Sequence, residues 1–286
     1  MSLPSLRSRR RPRPQKPRRV LVTGAASGLG LALVTAFGVR GEQVLATDIS
    51  ADRPATLPPR IDYLPLDVRS DDAWSAALEH VLASMGGLDL LVNNAGVAAA
   101  GRIDMATMEE WQWIVDINLL GVVRGCRTFT PLFKEQGSGH IVNTASLAGL
   151  VHAPGMSAYN SVKAGVVALS ETLLHELRPH GISVSVVCPS FFRTNLTDSF
   201  RGADAEVEQA GAAMVTRSRR TADRVASTVI HGIDARRDLI LTDPEGQIIW
   251  RIKRFARPLY RAGMNRAGAE FARARGRQSK ATASHW

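Results

Sequence analysis

Two side chains with acid/base chemistry, Tyr159 and Lys163, stand four residues apart in a segment that predicts a helix. At that spacing both project from one helix face, about one turn apart. A free tyrosine has a pKa of ~10, and a cation held beside it favours the phenolate and lowers that pKa. Ser146 ends a predicted strand and can place a hydroxyl next to the tyrosine. Together the three groups form a candidate acid/base site, although each alone has an ordinary explanation as a surface tyrosine, a lysine reaching solvent or a strand-end serine.

A second group of residues has the types and spacing needed to bind phosphate. The stretch Thr23–Gly30 reads TGAASGLG and lies directly between a predicted strand and a predicted helix. Gly24 permits a tight turn, Gly28 lets the backbone approach a pyrophosphate, and Gly30 lets the helix pack closely. The free amides at the helix N-terminus favour a bound phosphate. The spacing is GxxxGxG rather than GxGxxG, and it lacks the Lys-Ser/Thr pair of a phosphate-loop ATPase.

An acidic residue, Asp48, ends the second predicted strand, eighteen residues after Gly30. A carboxylate there can accept hydrogen bonds from both hydroxyls of an adenosine ribose, and it repels a 2′-phosphate. Its neighbours Ser27 and Ile49 supply no compensating cation. The sequence therefore favours NAD over NADP, the alternative being that Asp48 is a plain loop carboxylate.

Strand and helix patterns alternate along most of the chain, and the strands are apolar throughout, as expected when helices cover both faces of a sheet. Repeated βα units of this kind predict an α/β fold with a doubly wound parallel sheet. Thr107 and Glu110 form a capping box that opens a long helix. The predicted strands are Arg19–Thr23, Gln43–Thr47, Ile61–Leu66, Leu88–Val92, His140–Thr144, Ile182–Val187 and Leu239–Thr242. The predicted helices run from the glycine loop to about Arg40, over Asp71–Ser84, from Thr107 to about Phe133, over Ser157–Leu177 and over Ala222–Ala235.

These motifs, in this order and on these elements, resemble the short-chain dehydrogenase/reductase family. The resemblance rests on TGxxxGxG at Thr23–Gly30, NNAG at Asn93–Gly96, Ser146, and YxxxK from Tyr159 to Lys163. It covers about residues 19–243, and the thirteen residues from Ser146 to Tyr159 are the usual family interval. It implies a single Rossmann-type domain and hydride transfer between NAD(H) and a secondary alcohol or ketone.

The resemblance also implies residue roles. Tyr159 would be the general acid/base that exchanges a proton with the substrate oxygen, Lys163 would lower its pKa and bind the nicotinamide ribose, and Ser146 would orient the carbonyl or alcohol. Asn118 would hold a water in the proton relay, and Asp67 would contact adenine. The predicted catalytic set is Asn118, Ser146, Tyr159 and Lys163, with no metal. The predicted cofactor-binding set is Gly24, Ser27, Gly28, Leu29, Gly30, Asp48, Asp67, Val68, Asn94, Ala95, Gly96, Tyr159, Lys163, Pro189 and Thr194.

One position departs from the family pattern. Family members usually have Pro-Gly after the sixth strand, whereas this chain has Pro189-Ser190. The turn there can tighten differently and alter the nicotinamide pocket. The role of Thr194, expected to bind the nicotinamide amide, depends on that turn.

The formal charge of +10 is unevenly distributed. Residues 1–19 carry eight basic and no acidic side chains, and residues 251–286 carry ten basic and one acidic, so the body between them is acidic. We predict a disordered, basic, proline-rich leader over 1–18, a catalytic domain over 19–245 with a substrate lid at about 190–220, and a basic amphipathic extension over 246–286. In the extension Ile249, Ile252, Phe255 and Leu259 recur at helical spacing. Peripheral contact with an anionic membrane is one interpretation, but packing against the domain or another subunit is favoured, because an amphipathic stripe is usually a core stripe.

Several classes of protein are excluded or disfavoured. The uncharged run Val20–Val39 resembles a membrane span, but its four glycines favour a strand, turn and helix. Two cysteines without CxxC spacing exclude a disulfide scaffold and fit a reducing, cytoplasmic setting. A nucleotide-sensing protein would not need both Tyr159 and Lys163, and a nucleic-acid binder would need aromatic residues among the basic ones.

The expected partners are a small substrate and further copies of the chain. The apolar loop Val151–Met156 and the phenylalanines of the lid suggest a hydrophobic alcohol or ketone. His152 lies in that loop, where substrate contact and exposure to solvent are equally open. The helices beginning near Thr107 and Ser157 resemble the family's subunit interfaces, so a homodimer or homotetramer is expected, and no nucleic-acid partner is.

Overall fold

In the computed structural model, which describes residues 16–193 and 204–283, seven strands form one parallel sheet. In chain order they are β1 (Arg19–Thr23), β2 (Gln43–Asp48), β3 (Asp62–Pro65), β4 (Leu90–Asn93), β5 (Gly139–Thr144), β6 (Ile182–Cys188) and β7 (Leu239–Leu241). Their order across the sheet is β3-β2-β1-β4-β5-β6-β7. The strand order reverses between β1 and β4, and a crevice opens beyond the carboxyl ends of strands at such a point.

Helices connect these strands. They are α1 (Gly28–Val39), α2 (Asp71–Met85), α3 (Met108–Val115), α4 (Gly121–Gln136), α5 (Ala148–Val151), α6 (Ser157–Leu177), α7 (Ala205–Arg217), α8 (Ala222–Asp234), α9 (Pro244–Phe255) and α10 (Arg257–Ala283). A π-helical turn, Asp116–Leu120, joins α3 to α4, and a 3₁₀ turn, Arg178–His180, follows α6.

Each face of the sheet buries its own apolar core. Successive side chains of a strand point to opposite faces, so Val20 and Val22 pack on the face covered by α1 and α8, and Leu21 packs on the other. That second core is filled by aromatic residues, with the rings of Trp74 and Phe129 edge to face at 6.3 Å. The predicted α/β fold, a doubly wound parallel sheet of Rossmann type, is thereby confirmed.

Two helical regions differ from the sequence prediction. Thr107 and Glu110 form the expected capping box, and the helical run they open continues to Gln136, but Asp116–Leu120 within it is a π-helical turn. A π turn places one extra residue in the helix, which changes the direction in which side chains project. In the predicted lid, α7 forms where no helix was predicted; Arg102 holds the residue before it, Asp204, through two side-chain bonds of 2.6 Å.

The two ends of the domain are partly described. The uncharged run Val20–Val39 is β1, the glycine loop and α1, and within residues 16–193 and 204–283 no helix is long and apolar enough to cross a bilayer. Of the predicted leader, residues 1–15 lie outside the described residues. Its last residue, Arg18, is bound to Glu42 at 2.8 Å and to Asp234 at 3.0 Å, which fixes it to the domain.

The buried side chain of His140 on β5 makes the stability of this fold depend on pH. Ser185 donates its hydroxyl proton to the carbonyl of Arg237, so the Nε2–H of His140 must donate to Ser185, at 2.8 Å. The ring is then neutral, and burial lowers its pKa from 6.5 to about 4.

We therefore predict that the free energy of unfolding falls as the pH drops from 6.5 towards 4, because protonation favours the unfolded chain in that window. The loss attributable to His140 is about 3 kcal/mol. Urea titrations at pH 7 and pH 4 should give a smaller difference for His140→Gln than for the parent chain. The exposed His175 offers a control: His175→Gln should keep the parent difference, and an unchanged difference in His140→Gln would contradict the assignment.

Candidate active site

The glycine loop between β1 and α1 is folded so tightly that two of its glycines have no room for a side chain. Gly24 has φ +65, and a Cβ on it would lie 2.7 Å from the Cα of Ala95. A Cβ on Gly30 would lie 2.0 Å from the carbonyl oxygen of Gly24. The first turn of α1 is thus pressed against the loop, and Gly28 and Leu29 at its start line the cleft, where the amides of a helix N-terminus favour an anion.

The NNAG segment after β4 braces this loop. The hydroxyl oxygen of Thr23 accepts hydrogen bonds from the backbone amides of Asn94 and Ala95, at 3.0 and 2.9 Å. The side-chain amide of Asn94 donates to the carbonyls of Thr23 and Gly24, at 3.0 and 3.3 Å. Asn94 therefore holds β1 and β4 together at the point where the strand order reverses, in addition to lining the cleft with Ala95 and Gly96.

The carboxylate of Asp48 lies at the end of β2, beside the glycine loop. It accepts hydrogen bonds from the backbone amides of Ala26, at 2.9 Å, and Ile49, at 2.8 Å. Asp48, Ser27, Gly28 and Leu29 line the same part of the cleft. The residue thus fixes the loop and also presents a carboxylate to the cleft, which is where an adenosine ribose was expected.

Asp67 follows β3 and is paired with Arg69, a residue that the sequence analysis did not single out. Two side-chain bonds of 3.0 and 2.7 Å join the guanidinium to the carboxylate. This pairing holds the pKa of Asp67 below its ordinary value. Asp67, Val68 and Arg69 all line the cleft, so the expected adenine end contains a cation as well as a carboxylate.

Ser146, Tyr159 and Lys163 meet at the other end of the cleft. Ser146 lies two residues beyond β5 and accepts a hydrogen bond from the amide of Ala148 at 3.1 Å. Tyr159 and Lys163 lie on α6, with 8% and 3% of their surface exposed. The amine of Lys163 donates to the carbonyl of Thr144 at 3.0 Å and lies 5.8 Å from the centre of the Tyr159 ring. The structure thus brings together the three groups expected from the sequence.

The electrostatics of this group differ from the sequence expectation, in which Lys163 lowers the pKa of Tyr159. Burial raises the pKa of Tyr159, and a hydrogen bond with Ser146 opposes that rise. Burial lowers the pKa of Lys163 to about 8. In the chain by itself the amine is turned towards Thr144, and removal from water favours the neutral form of both groups. The role expected for Lys163 stays a prediction.

Asn118 lies in the π-helical turn and is fully buried. Its amide oxygen accepts from the amide of Val97 at 2.9 Å, and its amide nitrogen donates to the carbonyl of Val97 at 2.8 Å. A Cβ on Gly96 would lie 2.8 Å from the Asn118 oxygen and 3.5 Å from the Lys163 amine. Asn118 and Lys163 therefore flank the same glycine.

One continuous cleft of about 550 Å³ contains both ends, within the ~300–1,000 Å³ typical of small-molecule sites. Pro189 and Ser190 line it, and Arg220 donates to the Ser190 hydroxyl at 3.3 Å. Thr194 lies outside the described residues. Two lining residues, Ile249 and Met264, come from the predicted extension and were not predicted to be in the site. Among residues 16–193 and 204–283, no group of three or more acidic, histidine or cysteine residues could hold a metal ion.

The contact between Gly30 and Gly24 yields a prediction. Gly30→Ala should displace the loop and weaken NADH binding at least tenfold, because the nearest atoms are backbone and cannot move aside cheaply. Gly38→Ala, in the same helix, is the matched control: its Cβ would meet only the end of the Ile61 side chain, at 2.7 Å. Fluorescence titration with NADH should separate the two variants, and equal binding by both would contradict a role for the close approach.

The chain is similar to known proteins over most of its length. The sequence profile of the short chain dehydrogenase family matches residues 18–205. The 3-alpha-(or 20-beta)-hydroxysteroid dehydrogenase of Mycobacterium tuberculosis is 36% identical over 182 residues, which is 62% of this chain and 70% of that protein. A CLA biosynthesis dehydrogenase/reductase of Lactiplantibacillus plantarum is 31% identical over 257 residues, covering 80% and 89%.

A solved structure is also similar along most of the chain. A short-chain dehydrogenase/reductase from Burkholderia phymatum, in complex with NAD, superposes with a TM-score of 0.79 at 29% identity, over 85% of this chain and 95% of that one. Family membership implies an oxidoreductase that acts on CH–OH groups. With the profile match spanning the glycine loop, NNAG, Ser146, Tyr159 and Lys163, the chain belongs to the short-chain dehydrogenase/reductase family.

Proposed function

We propose that this protein interconverts a hydrophobic secondary alcohol and its ketone with NAD(H), and that Tyr159 is the general acid/base. The observation that carries the proposal is that Ser146, Tyr159 and Lys163 line the same cleft as the glycine loop. A proton donor, an orienting hydroxyl and a dinucleotide-type loop thus share one space.

The residues of the cleft fit a dinucleotide. Gly24 and Gly30 have no side chains, so a pyrophosphate can approach the backbone closely there. The amides at the start of α1 favour its negative charge. The Asp48 carboxylate can accept bonds from ribose hydroxyls, and it repels a 2′-phosphate. NAD, when bound, supplies or accepts the hydride, while the protein provides orientation and electrostatics.

The side chains at the reaction end would act on the substrate oxygen. In the direction of reduction, the Tyr159 hydroxyl donates its proton to the ketone oxygen, and Ser146 orients that oxygen by a second hydrogen bond. In the direction of oxidation, the tyrosine takes the proton from the alcohol. The Lys163 cation, less than 6 Å from the ring, favours the phenolate that forms in the reduction step.

Proton resupply to the tyrosine would pass by Lys163 and Asn118. Both flank Gly96, and Asn118 holds the backbone of Val97 through two hydrogen bonds. A water between the amide oxygen and the amine would continue the path. In this proposal Thr194 remains a candidate for binding the nicotinamide amide.

The substrate class is proposed from the lining of the reaction end. The apolar side chains that line the cleft include Val151, Met156, Phe192, Val215, Ile249 and Met264. Such a lining favours an apolar body on the substrate, with the hydroxyl or carbonyl directed at Ser146 and Tyr159. The similarity to a hydroxysteroid dehydrogenase is consistent with this class.

We also propose that the protein acts as a homodimer or homotetramer. Family members are commonly oligomeric, and the start of α3 and the segment before it expose apolar side chains, with Ile103 68% and Met108 74% exposed. Such side chains at the surface are typical of contacts between subunits.

The role of Tyr159 is tested by Tyr159→Phe. Turnover should fall at least a thousandfold while NADH binding stays within about twofold, because the lost hydroxyl donates the proton but does not hold the loop. Turnover is measured by NADH absorbance with a panel of ketones, and NADH binding is measured by fluorescence titration. The control is Tyr63→Phe on β3, whose hydroxyl binds the carbonyl of Ser50 and which does not line the cleft; it should keep its turnover. Retained activity in Tyr159→Phe would refute the proposed chemistry.

The cofactor preference is tested by Asp48→Ala. The ratio of kcat/KM for NADPH to that for NADH should rise at least tenfold, because a charge that repels the 2′-phosphate is removed. Loss of the bond to Ala26 lowers binding of both cofactors, so the ratio is the informative quantity. Asp62→Ala, an exposed carboxylate on β3, is the control. The ribose contact is wrong if both variants show the same ratio as the parent chain.

A further inference from the structure

Two helices beyond the last strand contribute to the cleft wall. Ile249 on α9 and Met264 on α10 line the same cleft as Ser146 and Tyr159. Both side chains are half-buried. The family profile ends at residue 205, so this part of the wall is built by residues outside the matched region.

Polar contacts fasten α9 and α10 to α5. The last carbonyls of a helix have no partner within the helix, and cations near a helix C-terminus are favourable. Here the Lys253 amine donates to the carbonyl of Leu150, and the Tyr260 hydroxyl donates to the carbonyl of Val151. Each of the two helices thus satisfies one carbonyl at the end of α5.

His152 completes this attachment. It follows α5 with φ +60, in the left-handed region. Its Nε2–H donates to the carbonyl of Gly149 at 3.0 Å, and its Nδ1 accepts from the Lys253 amine at 2.8 Å. Burial and the nearby Lys253 charge lower the pKa of His152, which favours the neutral ring that can accept this bond. The sequence left substrate contact and exposure to solvent equally open for His152; in the structure its side chain is exposed and also binds α9.

The attachment reaches the catalytic serine through α5. That helix begins two residues after Ser146, and the amide of Ala148 donates to the Ser146 hydroxyl at 3.1 Å. Val151, at the end of α5, is itself part of the cleft wall. The position of Ile249 and Met264 relative to the reacting hydroxyls is therefore set by a chain of direct contacts.

Neighbouring residues of α9 and α10 point away from the cleft. Ile248 is 56% exposed and Leu259 65% exposed, and neither lines the cleft. Ile248 and Leu259 are therefore similar in size to Ile249 and Met264 and lie on the same two helices, but a substrate in the cleft cannot contact them.

We propose that Ile249 and Met264 determine substrate specificity by contacting the apolar body of the substrate away from its reacting carbon. The wall they form sets the size of the hydrophobic alcohol or ketone that fits. This inference rests on the proposed function for the identity of the substrate, but the contact itself is a binding event that can be measured without turnover.

The test narrows the cleft from each helix in turn. Ile249→Trp and Met264→Trp should each weaken binding of a bulky ketone, 2-acetylnaphthalene, at least tenfold, because the larger side chain occupies the space of the second ring. Titration calorimetry on the full chain, saturated with NADH and also without it, measures the Kd. Where the parent chain reduces the ketones, kcat/KM for 2-acetylnaphthalene should fall tenfold and that for cyclohexanone should stay within about threefold.

The controls are Ile248→Trp and Leu259→Trp, which should bind and reduce both ketones as the parent chain does. Thermal unfolding checks that each variant folds, and the second helix keeps the test available if one variant does not. The proposal is overturned if the parent chain does not bind 2-acetylnaphthalene, if the cleft and surface variants behave alike, or if both ketones are affected equally. A parent chain that binds the bulky ketone but reduces neither ketone would refute the proposed function. Loss of binding in the cleft variants would still support the contact of Ile249 and Met264 with the ketone.

Discussion

The cleft depends on one steric constraint, the approach of Gly30 to the carbonyl of Gly24. A Cβ on Gly30 would lie 2.0 Å from that oxygen, so α1 can start against β1 only if position 30 has no side chain. This contact fixes where the helix N-terminus points. The Thr23 hydroxyl and the Asn94 amide then bind the loop to the end of β4. The reversal of strand order opens a space between β1 and β4, and the fixed glycine loop borders this space.

The same constraint explains how an acidic body can bind an anionic cofactor. The residues between the two basic termini carry more acidic than basic side chains, and Asp48 itself lies beside the loop. Binding is therefore left to oriented amides and the positive end of α1, which act at short range and need no net charge. Two basic residues outside the cleft have a different role: Arg18 binds Glu42 and Asp234, and Lys253 binds α5. Part of the positive excess thus fastens residue 18 and α9 to the domain.

The sequence was sufficient to predict the features that depend on local spacing. The glycines of Thr23–Gly30 lie within one turn, and the four-residue interval from Tyr159 to Lys163 lies within one helix. Apolar runs indicate the strands. Contacts between distant residues could not be predicted in this way. The π turn at Asn118 is specified by packing against Val97, and Lys163 turns to Thr144 because the strand end lies beside α6. The position of Arg69 in the cleft could not be predicted, because the residues next to it in the sequence do not distinguish it from a surface cation.

The extension illustrates the same limit. The helical spacing of Ile249, Ile252, Phe255 and Leu259 indicated an amphipathic helix, and packing against the domain was the favoured interpretation. In the structure α9 and α10 contact α5. Ile249 and Ile252 are half-buried, but Phe255 and Leu259 are exposed, so only part of the stripe packs against the domain. The pattern could not reveal that Ile249 lies over the cleft, because periodicity gives the relative direction of side chains but not the surface they meet.

The buried pair of Tyr159 and Lys163 shows why the site needs both residues. Removal from water raises the pKa of the phenol and lowers that of the amine to about 8, so each group alone is driven towards its neutral form. At neutral pH the tyrosine remains protonated and can donate to a ketone oxygen, while an amine with a pKa of about 8 remains mostly charged. In the proposed mechanism, the charge that develops on the tyrosine as its proton leaves is opposite to that of a cation already buried beside it, where such attractions are stronger than in water. Burial, which opposes ionisation of either group by itself, would therefore strengthen the interaction that favours the proposed proton transfer from Tyr159.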